Sequence, residues 1–276
     1  MIMKKSHSKQ TSFVGRSFLT PHKQQCLSEI VDENFKKARA VIYKSKNKKW
    51  LKNNIYHVFD LTAGNMVDKL TSPYIIINKL VKKSNELDFG YYLFEENKNT
   101  FESLKDNLNN YMNKSDWKNT INENVFLHQG NFSDNEVIDW DGFGHLGLCY
   151  FDPNGCGQKP EILALKTFTK NWPHIDILLN VNLHAWKRSY KAENKQGRKK
   201  DLISDQLTKM NKKNWWVREI PDENLQGGYK PLMLFGTNMP NYFLNRIDFH
   251  KAYPKELTFP CAGNSLLNTY EKFIES

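Results

Sequence analysis

Short apolar segments that end in an acid, a histidine or a polar turn recur between residues 55 and 157, at 55–60, 90–95, 125–128 and 146–152. Each is aromatic or β-branched, which predicts four strands. Between them apolar positions fall at helical spacing, as with Phe101, Leu104 and Leu108 in the helix expected over 97–112. Alternating strand and helix predicts a mostly parallel sheet flanked by helices on both faces. Upstream, Leu27, Ile30, Val31, Phe35, Ala38 and Val41 give one apolar face to a helix over 22–43, preceded by a tail-like stretch and followed by a lysine-rich connection. Downstream, Pro160 opens a helix that stops before Pro173. Residues 175–183 are almost wholly apolar and predict a central fifth strand. A polar, basic stretch expected to be mobile follows over 184–200, then a short helix over 201–210. A strand at 215–220 and its return at 231–237, beyond Gly227-Gly228, predict an antiparallel final pair. Trp215 and Trp216 are expected to divide between core and surface, and 265–274 to form a last helix.

In such a sheet the ligand crevice lies beyond the carboxyl ends of the strands, where Asp60, Glu95 and Asp152 are expected to meet. The turn Asp60-Leu61-Thr62-Ala63-Gly64-Asn65 offers small residues that let backbone approach a ligand. An acid at the second strand tip, Glu95 or Glu96, suits a ribose hydroxyl pair or the start of the next helix. After the third strand, the Asn131 amide could read an adenine edge and Phe132 could cover the ring. Asp152-Pro153-Asn154-Gly155 is the most distinctive tetrad: a polar side chain followed by proline makes a rigid turn that can hold an amine in line with a methyl donor. As turn formers the same four residues are also unremarkable. Beyond the fifth strand, His184, Trp186, Lys187 and Arg188 form a basic-aromatic cluster that could stack a base and pair a phosphate, or simply pack and be solvated.

Taken together, the Asp-x-x-Ala-Gly turn at Asp60, the Ser72-Pro73 helix start, Glu95, Gly130-Asn131, Asp152-Pro153-x-Gly155 and Leu178-Leu179-Asn180-Val181-Asn182 with Arg188 resemble the three-Cys-motif partner proteins over residues 20–240. These are a class I, S-adenosylmethionine-dependent methyltransferase-like group. The resemblance implies a Rossmann-like class I methyltransferase sheet, mostly parallel with an antiparallel final strand. It also implies S-adenosylmethionine as cofactor, with Asp60, Thr62, Ala63 and Gly64 toward its methionine part, Glu95 on the ribose, and Asn131 and Phe132 at the adenine. Asp152, Pro153 and Asn154 would position the acceptor, and Gly155, Trp186, Lys187 and Arg188 would bind it. The tetrad is also similar to the D-P-P-Y type of motif of amino-methyltransferases acting on adenine or cytosine, although Asn154 and Gly155 leave the stacking platform to Tyr150, Phe151 or Trp186. Thr62, Asn65, Asn131 and Asn154 depart from the family pattern.

Composition narrows this picture. With 39% hydrophobic and 13% aromatic residues the chain suits a globular fold. No stretch approaches the roughly 18 apolar residues of a membrane span. Residues 1–10 are polar and basic rather than signal-like, so the cytoplasm is the expected location. Cys26, Cys149, Cys156 and Cys261 are scattered without zinc-ligand spacing, so no metal is expected. The first 55 residues carry 13 Lys plus Arg against 3 Asp plus Glu, while the remainder holds 27 of each. This local excess is either a polyanion-binding surface or a solvated lysine-rich face. The expected organisation is a basic tail and helix over 1–54, a methyltransferase-like domain over 55–240 and an extension over 241–276 packed on it. Three functions stay open: methylation of a nucleic-acid amine, an inactive methyltransferase-like subunit with a protein or nucleic-acid partner in a defence or processing assembly, and methylation of a protein or small molecule.

Overall fold

The computed structural model describes residues 20–45, 48–66, 69–138, 140–153, 159–183, 203–219, 231–240 and 244–252, with 185, 187, 188, 191, 192 and 242. Among these, β1 (Ile55–Asp60), β2 (Asp88–Glu95), β3 (Val125–Gln129), β4 (Leu146–Phe151), β5 (Ile175–Asn182), β6 (Asn214–Glu219), β7 (Pro231–Thr237) and β8 (His250–Ala252) form one sheet in the order β3-β2-β1-β4-β5-β7-β6-β8. Strands β1 to β5 are parallel, and β7 runs antiparallel to both β5 and β6. This is the Rossmann-like class I methyltransferase sheet expected from the sequence. β8, which the sequence did not announce, adds an antiparallel edge beside β6.

The helices are α1 (Thr20–Ser45), α2 (Ser72–Val81), α3 (Lys98–Asn113), α4 (Lys118–Asn124), α5 (Lys159–Asn171) and α6 (Ile203–Lys209). Alternate strand residues feed two cores, as the period of two requires. Tyr56, Val58, Leu146, Leu148 and Tyr150 meet α1, α2 and α3 in the first. Phe59, Cys149, Phe151, Ile177 and Leu179 meet α5 and α6 in the second. The α1 stripe runs through Leu27, Ile30, Val31, Phe35 and Ala38 as expected, but ends on buried Ile42 while Val41 is half-buried.

Two expectations need correction. Trp216 is not a surface residue: Trp215 and Trp216 point into opposite cores, and both are buried. Leu183, expected to close the fifth strand, is helical, as are positions 185, 187, 188, 191 and 192 in the stretch that follows. The N-cap of α3 is Asn97, whose side chain accepts from Thr100 N at 3.0 Å, and Glu95 Oε1 accepts the Asn97 N–H at 2.8 Å at the start of that helix, as expected of one of the two glutamates. The helix expected over 265–274 lies outside the described residues.

Candidate functional site

The parallel strands deliver their carboxyl ends to one side, and the turn after β1 ties its neighbours together there. Leu61 N donates to Tyr150 O and Ala63 N to Phe94 O, each at 3.0 Å. Alternate turn residues thus continue the ladders to β4 and β2 beyond the strands. Side chains repeat the scheme: Asp152 N donates to Thr62 Oγ1 at 2.9 Å, and Gly64 N to Glu95 Oε2 at 3.0 Å. Three of the predicted tips, those of β1, β2 and β4, are therefore joined through Thr62 and Gly64.

Gly64 has φ +70°, and a Cβ there would meet no atom within 4 Å. Gly130, at the tip of β3, has φ +124° and likewise faces open space. These left-handed positions favour glycine on conformational grounds. They stand on either side of Glu95, since Gly130 N donates to Glu95 O at 3.0 Å. The Glu95 carboxylate also takes Asn97 N on Oε1 at 2.8 Å. A carboxylate has about four acceptor sites, so capacity remains for a vicinal hydroxyl pair. Two bare glycine turns flanking a half-buried carboxylate fit the nucleoside end of S-adenosylmethionine.

Asp60 occupies a different place from the other tip acids. It is wholly buried, accepts from Tyr91 Oη at 3.1 Å and holds the Ser72 hydroxyl at the start of α2. Burial pushes its carboxyl up to about 7, against the opposing pull of the Ser72, Thr62 and Tyr91 donors. It fastens the turn through Thr62 N and the hydroxyls of Tyr91 and Ser72. Asn131 caps the following short turn, accepting from Ser133 N at 2.9 Å, and its amide nitrogen lies 3.4 Å from Glu96 Oε2. Phe132 is 1% exposed, edge-on to Phe151 in the second core.

Asp152 is held on both oxygens. Oδ1 accepts from Asn180 Nδ2 at 2.5 Å, and Oδ2 accepts from Lys23 Nζ at 2.5 Å and from Tyr150 Oη at 3.1 Å. The Lys23 and Asp152 side chains are 12% and 19% exposed. An alkylammonium from α1 thus sits on the carboxylate expected to position an acceptor amine. Pro153 follows, half-buried. Of the proposed stacking platforms, Tyr150 and Phe151 are core residues. Lys187 is half-buried and Arg188 exposed, in helical conformation beyond β5. Asn154, Gly155, His184 and Trp186 lie outside the described residues.

Lys23, Tyr91, Ser72 and the Tyr150 hydroxyl carry parts of this arrangement that sequence reasoning missed. Asn180, the amide that interrupts the apolar stretch 177–181 within β5, was the one partner with a visible signal.

The sequence matches no family model and no curated protein. Solved structures do resemble it. A Legionella pneumophila protein of the DUF519 family aligns with a TM-score of 0.46 at 15% identity, covering 79% of this chain and 87% of that one. An rRNA methylase from Streptococcus thermophilus gives 0.37 at 9%, covering 75% and 97%. The methyltransferase domain of a bacterial Hen1 protein gives 0.40 at 10%, covering 75% and 99%. Likeness of this degree carries no conclusion about chemistry. The strand order, with β7 reversed between β5 and β6, itself carries the fold: a Rossmann-like sheet of class I methyltransferase type.

Proposed function

We propose that this chain is an S-adenosylmethionine-dependent methyltransferase whose acceptor is an amine of nucleic acid, and that it is a three-Cys-motif partner protein. The observation that carries the donor half is the junction of β1, β2 and β4 through Thr62 and Gly64, beside the Glu95 carboxylate. Glu95 and the Gly64 and Gly130 turns would hold the nucleoside, while Asp60 fixes the turn after β1. S-adenosylmethionine supplies an electrophilic methyl group, so the chain need only align a nucleophile and exclude water. Asp152 and Pro153 would take the amine, which requires Lys23 to yield its place on Oδ2. The basic excess of the first 55 residues supports a polyanionic acceptor.

The occupied Asp152 carboxylate favours a second reading, an inactive methyltransferase-like subunit that binds a protein or nucleic-acid partner without transfer. Calorimetric titration of the full chain with S-adenosylmethionine tests the donor site. Saturable binding is expected, weakened at least about tenfold in Glu95→Gln, which keeps a carbonyl acceptor for one amide but loses the charge. Absence of binding at millimolar donor would overturn the methyltransferase reading. Donor binding without transfer of labelled methyl to DNA or RNA would overturn only the nucleic-acid acceptor.

A further inference from the structure

The second face of the sheet is covered unevenly. Phe168 and Trp172 close over Phe59 of β1, each ring centroid 5.2 Å away. Between β3 and β4 the described residues form two single-turn 3-10 helices, Phe132–Asp134 and Glu136–Ile138. Their buried residues Phe132 and Val137 pack with Phe94 and Phe151, toward the carboxyl ends of the strands. Among the described residues no helix lies over the outer part of β2 and β3, where Phe126 is 42% exposed.

Phe126 begins a series of ring contacts that runs to His145. It stacks on Tyr92 at 5.0 Å with 19° between planes, and Tyr92 stacks on Phe59 at 4.8 Å and 13°. His57 lies 6.0 Å from Tyr92 and meets His145 edge-on at 4.9 Å. One residue before His145, Gly144 N donates to His174 Nδ1, and Phe143, 46% exposed, leans on the His174 ring at 4.9 Å. Phe126 and Phe143 are thus open rings on either side of buried Phe59 and His57, the Phe143–His174 pair being joined to the others through the Gly144 backbone. Burial lowers the pKa values of His57, His145 and His174, which keeps these rings neutral near pH 7.

The Phe143 end carries charge. Trp50 packs edge-on to His174 at 5.3 Å, and the turn leading into it exposes Lys48, Lys49 and Lys52. Lys52 N donates to Gly144 O, bringing this turn against the loop that holds exposed Asp141, while exposed Asp88 and Glu123 lie at the starts of β2 and β3. Open aromatic faces beside a cluster of exposed lysines are the combination that holds unpaired bases and their phosphates. A duplex keeps its bases stacked on one another and cannot use the rings.

We propose that this face, from Phe126 across to Phe143 and the Lys48–Lys52 turn, binds single-stranded nucleic acid. The turn precedes β1, at the amino ends of the strands, so the surface is separate from the crevice described above and the inference does not depend on methyl transfer. Fluorescence anisotropy of a labelled oligothymidylate with the full chain tests it. Binding that weakens with salt is expected, with about a tenfold loss in Phe126→Ala, whose exposed ring can be removed without unfolding, and a similar loss in Phe143→Ala. The combined Lys48→Glu, Lys49→Glu, Lys52→Glu variant should bind weakly and with a flatter salt dependence. No binding at low salt, equal affinity for wild type and a Phe126→Ala protein of unchanged melting temperature, or equal affinity for duplex would each overturn the proposal. So would self-association of the wild type that Phe126→Ala abolishes, which would make the face a contact between copies. A failed donor titration would leave it standing.

Discussion

Lys23 and Asp152 meet across 129 residues of sequence, and their pairing is mostly shielded from solvent. Removing one partner of a buried pair leaves the other charge stranded, which costs more than the pair contributes. Here Asn180 and Tyr150 remain on Asp152, so Lys23→Met is expected to lower stability by about 2 kcal/mol in a denaturant titration, less than for a fully orphaned carboxylate. A loss below about 0.5 kcal/mol would mean that the ion pair is a surface contact in practice. Gly64 is a different kind of position. Its φ of +70° disfavours any side chain, yet a Cβ would strike nothing within 4 Å. Gly64→Ala should therefore cost about 1 kcal/mol, from the backbone alone. Larger losses in the same titration would show that the turn is packed against something. These two residues also mark what the sequence could reveal of the site. Gly64 was legible because a small residue after a strand-tip acid has a local reason to be there. Lys23 was not, because in a segment with 13 cations nothing local distinguishes the one that folds back.

Elements were legible in proportion to their length and period. β4 and β5 read as apolar runs because both faces of the central strands are buried. α4 was silent because Ile121 is its one buried residue. β8 spans three residues, too few for alternation to register. Trp216 was misread because the sheet does not end at β6, and the residue pairs in register with Phe235 on the α1 side. A glycine inside a strand signals close backbone approach without saying to what, and Gly147 supplies the answer. It pairs with His57 across β1 and β4, and a Cβ would lie 1.7 Å from the His57 carbonyl oxygen. Backbone at the centre of a sheet cannot yield by that distance. Gly147→Ala is expected to cost more than about 3 kcal/mol or prevent folding. At Gly90 the obstacle is the tip of the Tyr92 ring at 3.0 Å, which can turn aside. Gly90→Ala should stay within about 1 kcal/mol of wild type, and equal melting curves for the two variants would refute the distinction.

At the scale of the whole molecule, the two-core architecture followed from alternation, whereas the acids inside the first core did not, since Asp60 and Asp176 look in sequence like strand-tip or strand-start polar residues. Both are fully buried. Asp176 Oδ2 accepts from Asn34 Nδ2 at 2.8 Å and Tyr242 Oη at 2.6 Å, knitting α1, β5 and the chain after β7 together. Burial pushes the carboxyl of Asp176 up to about 6 and that of Asp60 up to about 7, the first opposed mainly by Lys212 and the second by its hydroxyl donors. A carboxyl whose folded pKa lies above its unfolded value of about 3.9 keeps a proton that the unfolded chain has released. Each contribution is therefore complete below about pH 4 and is lost as pH rises through the folded value, by at most about 1.4 kcal/mol per pH unit. The register sets the two acids two strands apart, roughly 10 Å, and they share no hydrogen-bond partner among those described, so their effects should add. Asp60→Asn and Asp176→Asn each remove one titration. Relative to wild type, either variant should gain stability as pH is raised from 4 to 6, and Asp60→Asn should go on gaining to pH 7. A gap that stays constant across this range would show that the carboxylates are ionised in the folded protein. The polar links through Asp60 and Asp176 would then be charged ones, and the first core would hold two buried anions.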